Sequence, residues 1–442
     1  TEPTDWLGGQ LTSSLISAID FGHRNRDASC LPSQFVDMLG SLGFPNSNPG
    51  NCWVSTFCYK AHDLLQHWIL PQTQKRANLR VYYNTVPVSA TVAGGVLQSV
   101  DFVQRESRGR KNDDVDDNHL GLFSEQVEDW YDPADSTAFT KTKLSISSEV
   151  MVDATEFGDL LVLAGAEFVQ GNEVSESATK SYDLCGQAIV FPFYLGTPTS
   201  LSKTAMQKPP SAAEDPFSLD GKTWDQVWTY RQVENGASSL MAWGAAKGDG
   251  NDYPFGYHFV DVKETLAQRD AGAWRGGLNL STMRDAEQYS LNFSQWYMGR
   301  RPSPPPKGTP DNPTMLLWNA SSGTASGLSK MPYIRDTRRS VGVGGFRLNS
   351  TQLSSGGSFP DRVGIGDYLY FDVHANQGCP AMKFDGNLQP YQIPLRALTN
   401  DAVQNLVVAG KTMAQTNAAN AATRLHPVEW VSGTAAGMLA VE

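Results

Sequence analysis

The most constraining feature of this sequence is a stretch near its end, residues 405–440, NLVVAGKTMAQTNAANAATRLHPVEWVSGTAAGMLA. The apolar run 406–409 stops at Gly410, which is typical of a buried strand that ends in a tight turn. Further on, Pro427 precedes the small-residue run 432–437, where small side chains would let the backbone approach a ligand and a helix N-terminus would offer N–H donors to negative charge. The pattern favours a nucleotide-binding turn. The alternative is that Gly and Ala only allow close packing of a helix.

Two further stretches carry a similar signal. At the start, TEPTDWLGGQLT places Glu2 six positions before the pair Gly8 and Gly9. In the middle, VMVDATEFGDL (150–160) is typical of a strand that ends in a small-residue turn. The three stretches together resemble FAD-dependent oxidoreductases of the glutathione-reductase-like fold. More narrowly, they are similar to a bacterial-type FAD oxidoreductase family that carries GGQLT after an acidic residue, V-D-A-T-x-x-G-D-L and N-L-x-V-A-G-K.

The resemblance, which covers most of the chain, implies an α/β fold. It implies a Rossmann-like FAD-binding domain of the glutathione-reductase type with an inserted α+β substrate domain rich in strands. The first part of the FAD-binding domain would span 1–169, the substrate domain 170–330, and the C-terminal part of the FAD-binding domain 331–442. The composition of 170–330 shifts toward Ser, Pro, Gly and aromatic residues, which suits a substrate pocket; ordinary core aromatics are the alternative.

One expected motif is absent from the sequence. Such a family places a strand and a G-x-G-x-x-G turn about 30 residues before the acidic residue, whereas Glu2 stands almost at the first position. The glycines at 342, 344 and 345 have the wrong spacing. We therefore expect Glu2 to end the second strand of a dinucleotide-binding unit, and a missing N-terminal segment or a second chain to complete the FAD site.

The resemblance implies FAD as the cofactor. Glu2 is expected to accept hydrogen bonds from the ribose hydroxyls, Val88 to contact the adenine, and the backbone of 433–435 to contact the flavin. Lys411 stands where many relatives of the wider fold carry an acidic residue. The implied cofactor-binding residues are Glu2, Gly8, Gly9, Gln10, Val88, Ala154, Thr155, Gly158, Gly410, Lys411, Asn417, Arg424, Glu429, Gly433, Thr434 and Ala435.

Two arginines and two histidines are the catalytic candidates. Arg335 and Arg338 belong to an R-x-x-R-R run similar to one in the family, and either side chain could bind a substrate carboxylate or stabilise the reduced flavin. A salt-bridge network at a domain interface is the alternative. His374, which ends a predicted strand at 367–374, is the first acid–base candidate because histidine titrates near neutrality, and His426 is the second. A structural role is the alternative for each histidine.

The expected reaction is hydride transfer from a small organic substrate to the flavin, which a second acceptor then reoxidises. A flavoprotein-derived binding or structural protein that has lost FAD is the alternative. The sequence holds neither the G-x-S-x-G elbow nor the H-E-x-x-H motif of hydrolases.

Composition excludes several other classes. A net charge of −11 argues against a nucleic-acid partner, and no apolar run approaches the roughly 18 residues that would predict a membrane span. The five cysteines lack metal-site spacing, so buried free thiols are favoured over a disulfide. Four sequons indicate a possible glycoprotein that is secreted or extracytoplasmic; they are Asn279, Asn292, Asn319 and Asn349.

Periodicity adds coarse predictions for the first hundred residues. Apolar residues at helical spacing predict helices over 13–44 and 61–77, with Pro71 kinking or ending the second. Residues 79–92 are predicted to form a strand pair, and 96–105 a further strand.

Overall fold

The computed structural model describes residues 1–22, 31–108, 121–175, 177–178, 180–196, 217–219, 221–234, 240–242, 250–304, 316–317, 322–382, 384 and 386–442, and these form a mixed α/β structure. The α-helices are Ser33–Ser41 (α1), Ala61–Leu64 (α2), Leu70–Gln74 (α3), Phe123–Tyr131 (α4), Asp159–Leu163 (α5), Trp224–Tyr230 (α6), Val262–Asp270 (α7), Leu280–Gly299 (α8), Ser350–Ser354 (α9), Asn417–Thr423 (α10) and His426–Leu439 (α11). The strands are Thr85–Ala93 (β1), Val96–Ser107 (β2), Phe139–Ile146 (β3), Met151–Asp153 (β4), Phe168–Val169 (β5), Asn172–Glu173 (β6), Ser181–Tyr182 (β7), Tyr194–Gly196 (β8), Gln232–Glu234 (β9), Leu240–Ala242 (β10), Leu316–Leu317 (β11), Arg339–Ser340 (β12), Arg362–Gly366 (β13), Tyr391–Pro394 (β14) and Leu406–Val408 (β15).

A parallel strand pair brings the middle and closing stretches together. β15 lies beside β4, with Leu406 opposite Met151 and Val408 opposite Asp153. The buried Asp153 carboxylate fixes the turn after β4 by accepting hydrogen bonds from Thr155 N at 2.9 Å and Leu161 N at 2.7 Å. Both strands are confirmed, although each is shorter than the apolar run that predicts it.

An antiparallel three-stranded sheet, in the order β1-β2-β3, carries the N-terminal segment at one end. Glu2 N donates to Tyr82 O at 2.9 Å, and Thr85 N donates to Glu2 O at 2.9 Å. The chain around Glu2 is therefore paired with the residues that lead into β1.

The predicted helix over 13–44 is wrong for most of its described part. Only α1 is α-helical, and residues 15–22 are non-helical, with a bridge between Ala18 and Cys58. Ile19 N donates to Phe57 O at 3.2 Å and Tyr59 N donates to Ser17 O at 3.0 Å. Pairing with another segment satisfies the backbone there, and it buries the same apolar side chains that suggested a helix.

The predicted helix over 61–77 is confirmed as far as Gln74. Between α2 and α3 the turn Leu65–Ile69 is π-helical. The helix passes Pro71 because such a widened turn accommodates a residue that cannot donate its N–H. The predicted strand at 367–374, by contrast, is wrong, since β13 ends at Gly366 and residues 367–374 have no strand partner within the described chain.

Three hydrophobic clusters form the core. One joins Val86 and Phe157 to Phe191, Phe259 and Trp274. The second surrounds β4 and β15, and the third packs the first seventy residues against Tyr194 and Tyr333. Residues on both sides of the predicted boundary at 169/170 share the first cluster, and the division into domains stays a prediction.

Two disulfides correct the expectation of free thiols. Cys52 pairs with Cys58, and Cys185 pairs with Cys379 across a sequence separation of 194. The spacing of the cysteines gave no signal for the second pair, because chain folding alone brings its two loops together. Cys30 and the sequon at Asn319 lie outside the described residues.

Two other features are absent from the described ranges. None of their helices is both long and apolar enough to cross a membrane. The same ranges hold no group of three or more His, Cys, Asp or Glu side chains arranged to bind a metal ion.

Candidate functional site

A cavity of about 190 Å³ lies where the N-terminal segment, the start of β1 and the turn after β4 meet. Four of the residues that the sequence predicted for cofactor binding line it: Glu2, Gly9, Ala154 and Thr155. The other lining residues are Thr1, Pro3, Ser13, Ser14, Thr85, Val86, Pro87, Trp130, Tyr131, Val152, Glu156, Phe157, Asp159 and Met331.

Glu2 presents a buried carboxyl group to this cavity. Thr4 donates to its Oε1 from the backbone N at 3.1 Å and from Oγ1 at 2.9 Å. Burial raises the pKa of Glu2 to about 7, against the effect of these hydrogen bonds. Since Thr4 engages Oε1, the second carboxylate oxygen is the one that a ligand hydroxyl would meet.

Val86, rather than the predicted Val88, faces the cavity with Glu2. The pairing of β1 with β2 shifts register between Pro87 and Ser89, so Val88 sits in a β-bulge. Val88 still packs against the same hydrophobic cluster as Val86, but it lines a second cavity rather than the first.

Asp159, at the start of α5, lines the cavity and accepts hydrogen bonds from two buried side chains. Tyr131 Oη donates to its carboxylate oxygens at 3.2 and 3.3 Å, and Trp274 Nε1 donates to Oδ1 at 3.2 Å. Burial raises the pKa of Asp159 to about 7, although the nearby Arg338 guanidinium opposes the shift. Gly158 precedes it with φ 65°, and a Cβ there would lie 3.1 Å from Arg338 Cβ. Gly158 therefore allows the turn before α5 to approach Arg338 closely.

Lys411 follows Gly410 at the end of β15 and is buried. Its Nζ lies 2.5 Å from Oε1 of Glu156, which lines the cavity. Burial alone would lower the pKa of Lys411, but Glu156 and Glu429 raise it. A Cβ at Gly410 would lie 2.5 Å from Glu429 Oε2, so only glycine fits beside this carboxyl group. In place of an acidic residue, the chain has a lysine paired with a neighbouring glutamate.

Several buried polar atoms on residues outside the cavity lining have no hydrogen-bond partner among the described residues. They are Gln10 Oε1, Arg424 Nε, both ring nitrogens of His426 and Glu429 Oε1. Gln10 Nε2 donates to Arg424 O at 3.3 Å, which ties two of these residues together. The backbone of Ile16 lies beside the His426 ring, and burial lowers the pKa of His426 to about 3. Burial also raises the pKa of Glu429 to about 7.

These orphaned atoms fit a polar ligand. Buried donors and acceptors are normally satisfied, because leaving one unpaired costs about 1–3 kcal/mol. The ring edge of a flavin carries both donors and acceptors, and the cavity beside Glu2 suits the adenosine end of the same molecule. The residues present therefore fit a polar, adenosine-bearing cofactor such as FAD.

The structure does not bring the predicted positions 433–435 to this cavity. α11 begins at His426, with Pro427 in its first turn, where proline is favoured. The small-residue run consequently lies in the second half of the helix, where Gly433 and Thr434 are exposed. Thr434 and Ala435 line a groove of about 620 Å³ beside β13 instead. Gly8, which has φ 126°, packs against Thr12 and Ile69.

Asn417 takes part in a buried network that leaves its side chain no group for a cofactor. Its Nδ2 donates to Asn172 Oδ1, and its Oδ1 accepts from Gln187 Nε2 at 3.3 Å. The backbone N donates to Glu173 Oε2 at 2.9 Å. Asn417 thus connects α10 to β6.

His374 lies between two carboxylates rather than against the cavity. Its Nδ1 is 2.8 Å from Asp252 Oδ2, and its Nε2 is 3.1 Å from Asp372 Oδ1. Arg424 Nη2 contacts Asp372 Oδ2 at 2.7 Å. Burial would raise the pKa of Asp372, but Arg424 and His374 lower it well below the usual range. Both ring nitrogens therefore face carboxylate oxygens, and the acid–base role of His374 stays a prediction.

The two predicted arginines have internal partners. Arg335 donates to Ala188 O and to Asp252 Oδ1, each at 3.0 Å. Arg338 is fully buried. It donates to Gln170 Oε1, Phe157 O, Gly276 O and Gly277 O at 3.0–3.1 Å. These contacts favour the alternative role considered for the two arginines, a salt-bridge network at a domain interface.

Sequence reasoning missed three kinds of lining residue. Ser13 and Ser14 directly follow the GGQLT motif, so an extension of that motif would have found them. Val86 lines the cavity in place of the predicted Val88, which lies in a β-bulge. Tyr131 and Asp159 meet across 28 residues, and nothing local in the sequence signals that contact.

Comparison with known proteins gives one match. A family model described as FAD dependent oxidoreductase matches residues 131–441. No curated protein and no solved structure matches the chain. The matched range includes β4, β15 and the orphaned atoms of α11, whereas Glu2 and β1 precede it.

Proposed function

Because the chain belongs to the family of FAD dependent oxidoreductases, we propose that it binds FAD in the cavity beside Glu2 and transfers hydride from a small organic substrate to the flavin. The observation that carries this proposal is the meeting of Glu2, Val86 and Ala154, from three separate stretches, around one cavity. When bound, FAD supplies the redox chemistry: it accepts a hydride and passes the electrons to a second acceptor.

The side chains around the cavity would have distinct roles. The Glu2 carboxylate would accept hydrogen bonds from ribose hydroxyls, and Val86 would pack on the adenine. At the other end, Gln10 and the neutral imidazole of His426 would orient the flavin edge. Burial raises the pKa of Glu429 to about 7, as it does for Glu2 and Asp159, and a carboxyl group with this pKa suits proton exchange at neutral pH.

The test is the absorbance of the protein after incubation with excess FAD and gel filtration. We expect flavin bands that comigrate with the protein and bleach when dithionite is added. A protein that stays colourless through this procedure would contradict FAD binding by this chain. The same spectrum separates the enzyme from the second candidate function.

That second candidate is a flavoprotein-derived binding or structural protein that no longer holds FAD. It is favoured by the cavity volume, since about 190 Å³ is below the roughly 300–1,000 Å³ of typical ligand pockets. On this view, the family fold is retained for recognition or assembly, and reconstitution with FAD fails.

We also propose that a further segment, or a second chain, completes the cofactor site beside β4. Within the described residues β4 pairs with β15 alone, and its Val152 is 37% exposed at the cavity wall. A strand with one open edge and an exposed apolar side chain is suited to receive a neighbour. Native mass spectrometry of the protein from its own source would show whether an additional polypeptide accompanies it, and a lone chain with tightly bound FAD would contradict the proposal.

Secretion or another extracytoplasmic location is a further proposal. Two disulfides support it, because structural disulfides persist in oxidising compartments. Asn279 and Asn349, from two of the sequons, act as N-caps of α8 and α9 through Oδ1, which leaves Nδ2 for a glycan. Intact mass before and after glycosidase treatment, together with thiol labelling, tests the proposal.

Replacing Glu2 with glutamine is expected to raise the dissociation constant of FAD roughly tenfold to a hundredfold. The change keeps the side-chain volume but removes the charge, and a hydrogen bond to a charged group contributes about 1.5–3 kcal/mol. Quenching of flavin fluorescence on binding provides the measurement. Glu264→Gln, on the exposed face of α7, is the matched control and should bind as the unaltered protein does. Equal affinities of the two variants would show that Glu2 does not hold the ribose.

FAD affinity is also expected to depend on pH. Burial places the pKa of Glu2 at about 7 in the free protein, with Asp5 adding to the shift. Glu2 therefore gains a proton as the pH falls below 7, and the affinity should fall by up to about tenfold per pH unit. Fluorescence titrations between pH 8 and pH 5.5 check this.

In Glu2→Gln that decline should disappear. Asp159 also lines the cavity with a pKa of about 7, but its ionisation adds negative charge, so it would weaken binding of the FAD anion as the pH rises. A slope of this opposite sign in the variant would be assigned to Asp159. An unchanged slope would exclude Glu2 as its source.

A further inference from the structure

A second cavity, of about 370 Å³, lies between the three-stranded sheet and the turn that follows α7. Its volume falls within the roughly 300–1,000 Å³ of small-molecule sites. None of its polar residues has a place in the function proposed above.

The polar side chains of this second cavity are arranged across the strands. Lys143 and Ser145 alternate on β3 and so share a face of the sheet. Asp101 of β2 stands opposite Ser145, and Ser89 of β1 stands opposite Asp101. Ser89 Oγ donates to Asp101 Oδ2 at 2.9 Å. The row offers hydroxyl groups and a carboxylate, which are hydrogen-bond partners for a polyhydroxylated ligand.

Two cations border the same space. Arg275 Nη2 is 3.5 Å from Asp132, in a pair that is partly exposed and therefore weak. Lys143 has no ion pair with any side chain in the described ranges. An anionic group on the ligand would give Lys143 the partner that it lacks.

One wall of the second cavity is shared with the first. Tyr131 lines both cavities, and Trp274 lines the second. Both residues donate to the same carboxylate, that of Asp159, which lines the first cavity. A Cβ on Gly276 would lie 3.1 Å from the Tyr131 ring, so the ring is closely packed from behind. A shift of Tyr131 or Trp274 in one cavity would thus be transmitted to the other through Asp159.

We propose that the second cavity binds a small hydroxylated organic anion, either a sugar phosphate or a sugar acid, and that Tyr131 and Trp274 couple its occupancy to FAD binding in the first cavity. Lys143 and Arg275 bind the phosphate or carboxylate, and Asp101 with Ser145 binds hydroxyl groups. The binding site stands independently of the proposed function, whereas the coupling rests on it.

Calorimetric titration with ribose 5-phosphate, gluconate and neutral ribose tests the site. We expect at least one of the two anions to bind, and ribose to bind at least about tenfold more weakly, since an ionic hydrogen bond contributes about 1.5–3 kcal/mol. The anion that binds distinguishes the phosphate from the carboxylate. Absence of binding by both anions at millimolar concentration, or equal binding of ribose, would overturn the proposal.

Lys143→Met should weaken anion binding about tenfold, because it removes the charge but keeps most of the stem. Lys263→Met, at an exposed position of α7, is the matched control and should leave binding unchanged. Circular dichroism and the thermal midpoint confirm that both variants fold. An effect of equal size in both variants would assign the binding to general surface charge and overturn the site.

Coupling is measured as the change in FAD affinity when the anion is saturating. We expect a change of about fivefold or more in the unaltered protein, a size typical of linked sites. Tyr131→Phe keeps the ring but removes the hydrogen bond to Asp159, and it should abolish most of this change while the anion still binds. The same FAD affinity with and without the anion would overturn the coupling. If FAD fails to bind at all, the proposed function and the coupling fail together, and the titrations above still decide the site.

Discussion

Replacing Arg338 with methionine is expected to lower the free energy of unfolding by about 4 kcal/mol, enough to leave much of the protein unfolded or aggregated. Breaking a buried ionic network by removing one partner costs about 3–5 kcal/mol, out of a total stability of about 5–15 kcal/mol. Arg338 is fully buried and donates four hydrogen bonds to the side chain of Gln170 and to three backbone carbonyls. Its positive charge also opposes the rise in the pKa of Asp159. Methionine fills the volume but leaves the four acceptors without this donor and removes the positive charge near Asp159.

Urea denaturation followed by fluorescence gives the measurement. Arg76→Met, at an exposed arginine after α3, is the control and should change stability by less than about 0.5 kcal/mol. Arg338→Lys keeps the charge and should lose less stability than the methionine variant, which keeps the comparison possible if the latter does not fold. A methionine variant with full stability but no turnover would instead support the substrate-binding role that the R-x-x-R-R pattern suggested.

The sequence predicted the parts of the fold that depend on local patterns. An apolar run that ends at glycine predicted β15, and the V-D-A-T stretch predicted β4. Both strands are confirmed. The pattern was readable because buried parallel strands are continuous apolar runs. The helix start expected at the small-residue run 432–437 is wrong, because α11 already begins at His426. The helix prediction is wrong for residues 13–22. A non-helical segment that is buried on several sides carries apolar residues at spacings that also suit a helix.

The motif positions at the cavity were predictable and their partners were not. Glu2, Gly9, Ala154 and Thr155 each belong to a recognisable stretch, and they line one cavity. Val88 misses that cavity because it sits in a bulge, which displaces it from the register that strict alternation predicts, and a single sequence does not show a bulge.

His374 illustrates a different limit of sequence reasoning. Its residue type suggests acid–base chemistry, but the role of a histidine depends on what faces its two nitrogens. Asp252 lies 122 positions earlier in the chain, and Asp372 lies two positions before the histidine. Only folding brings the first of these carboxylates within 2.8 Å. The same limit applies to Arg335 and Arg338. Most of their partners are backbone carbonyls, which carry no residue-specific signal in the sequence.

Removing the disulfide Cys185–Cys379, by Cys185→Ser together with Cys379→Ser, is expected to lower the free energy of unfolding by about 5 kcal/mol in the chain-entropy treatment. The bond closes a loop with a sequence separation of 194, so it greatly restricts the unfolded chain. It also anchors the segment after His374, where Asn376 N donates to Gly186 O at 2.9 Å. The matched control is the removal of Cys52–Cys58, whose separation of 6 predicts a loss of only about 2 kcal/mol. Urea denaturation without reductant, with thiol titration to confirm each bond, gives both values. Equal losses for the two pairs would contradict an effect of loop length and would assign the stabilisation to local contacts in the native state.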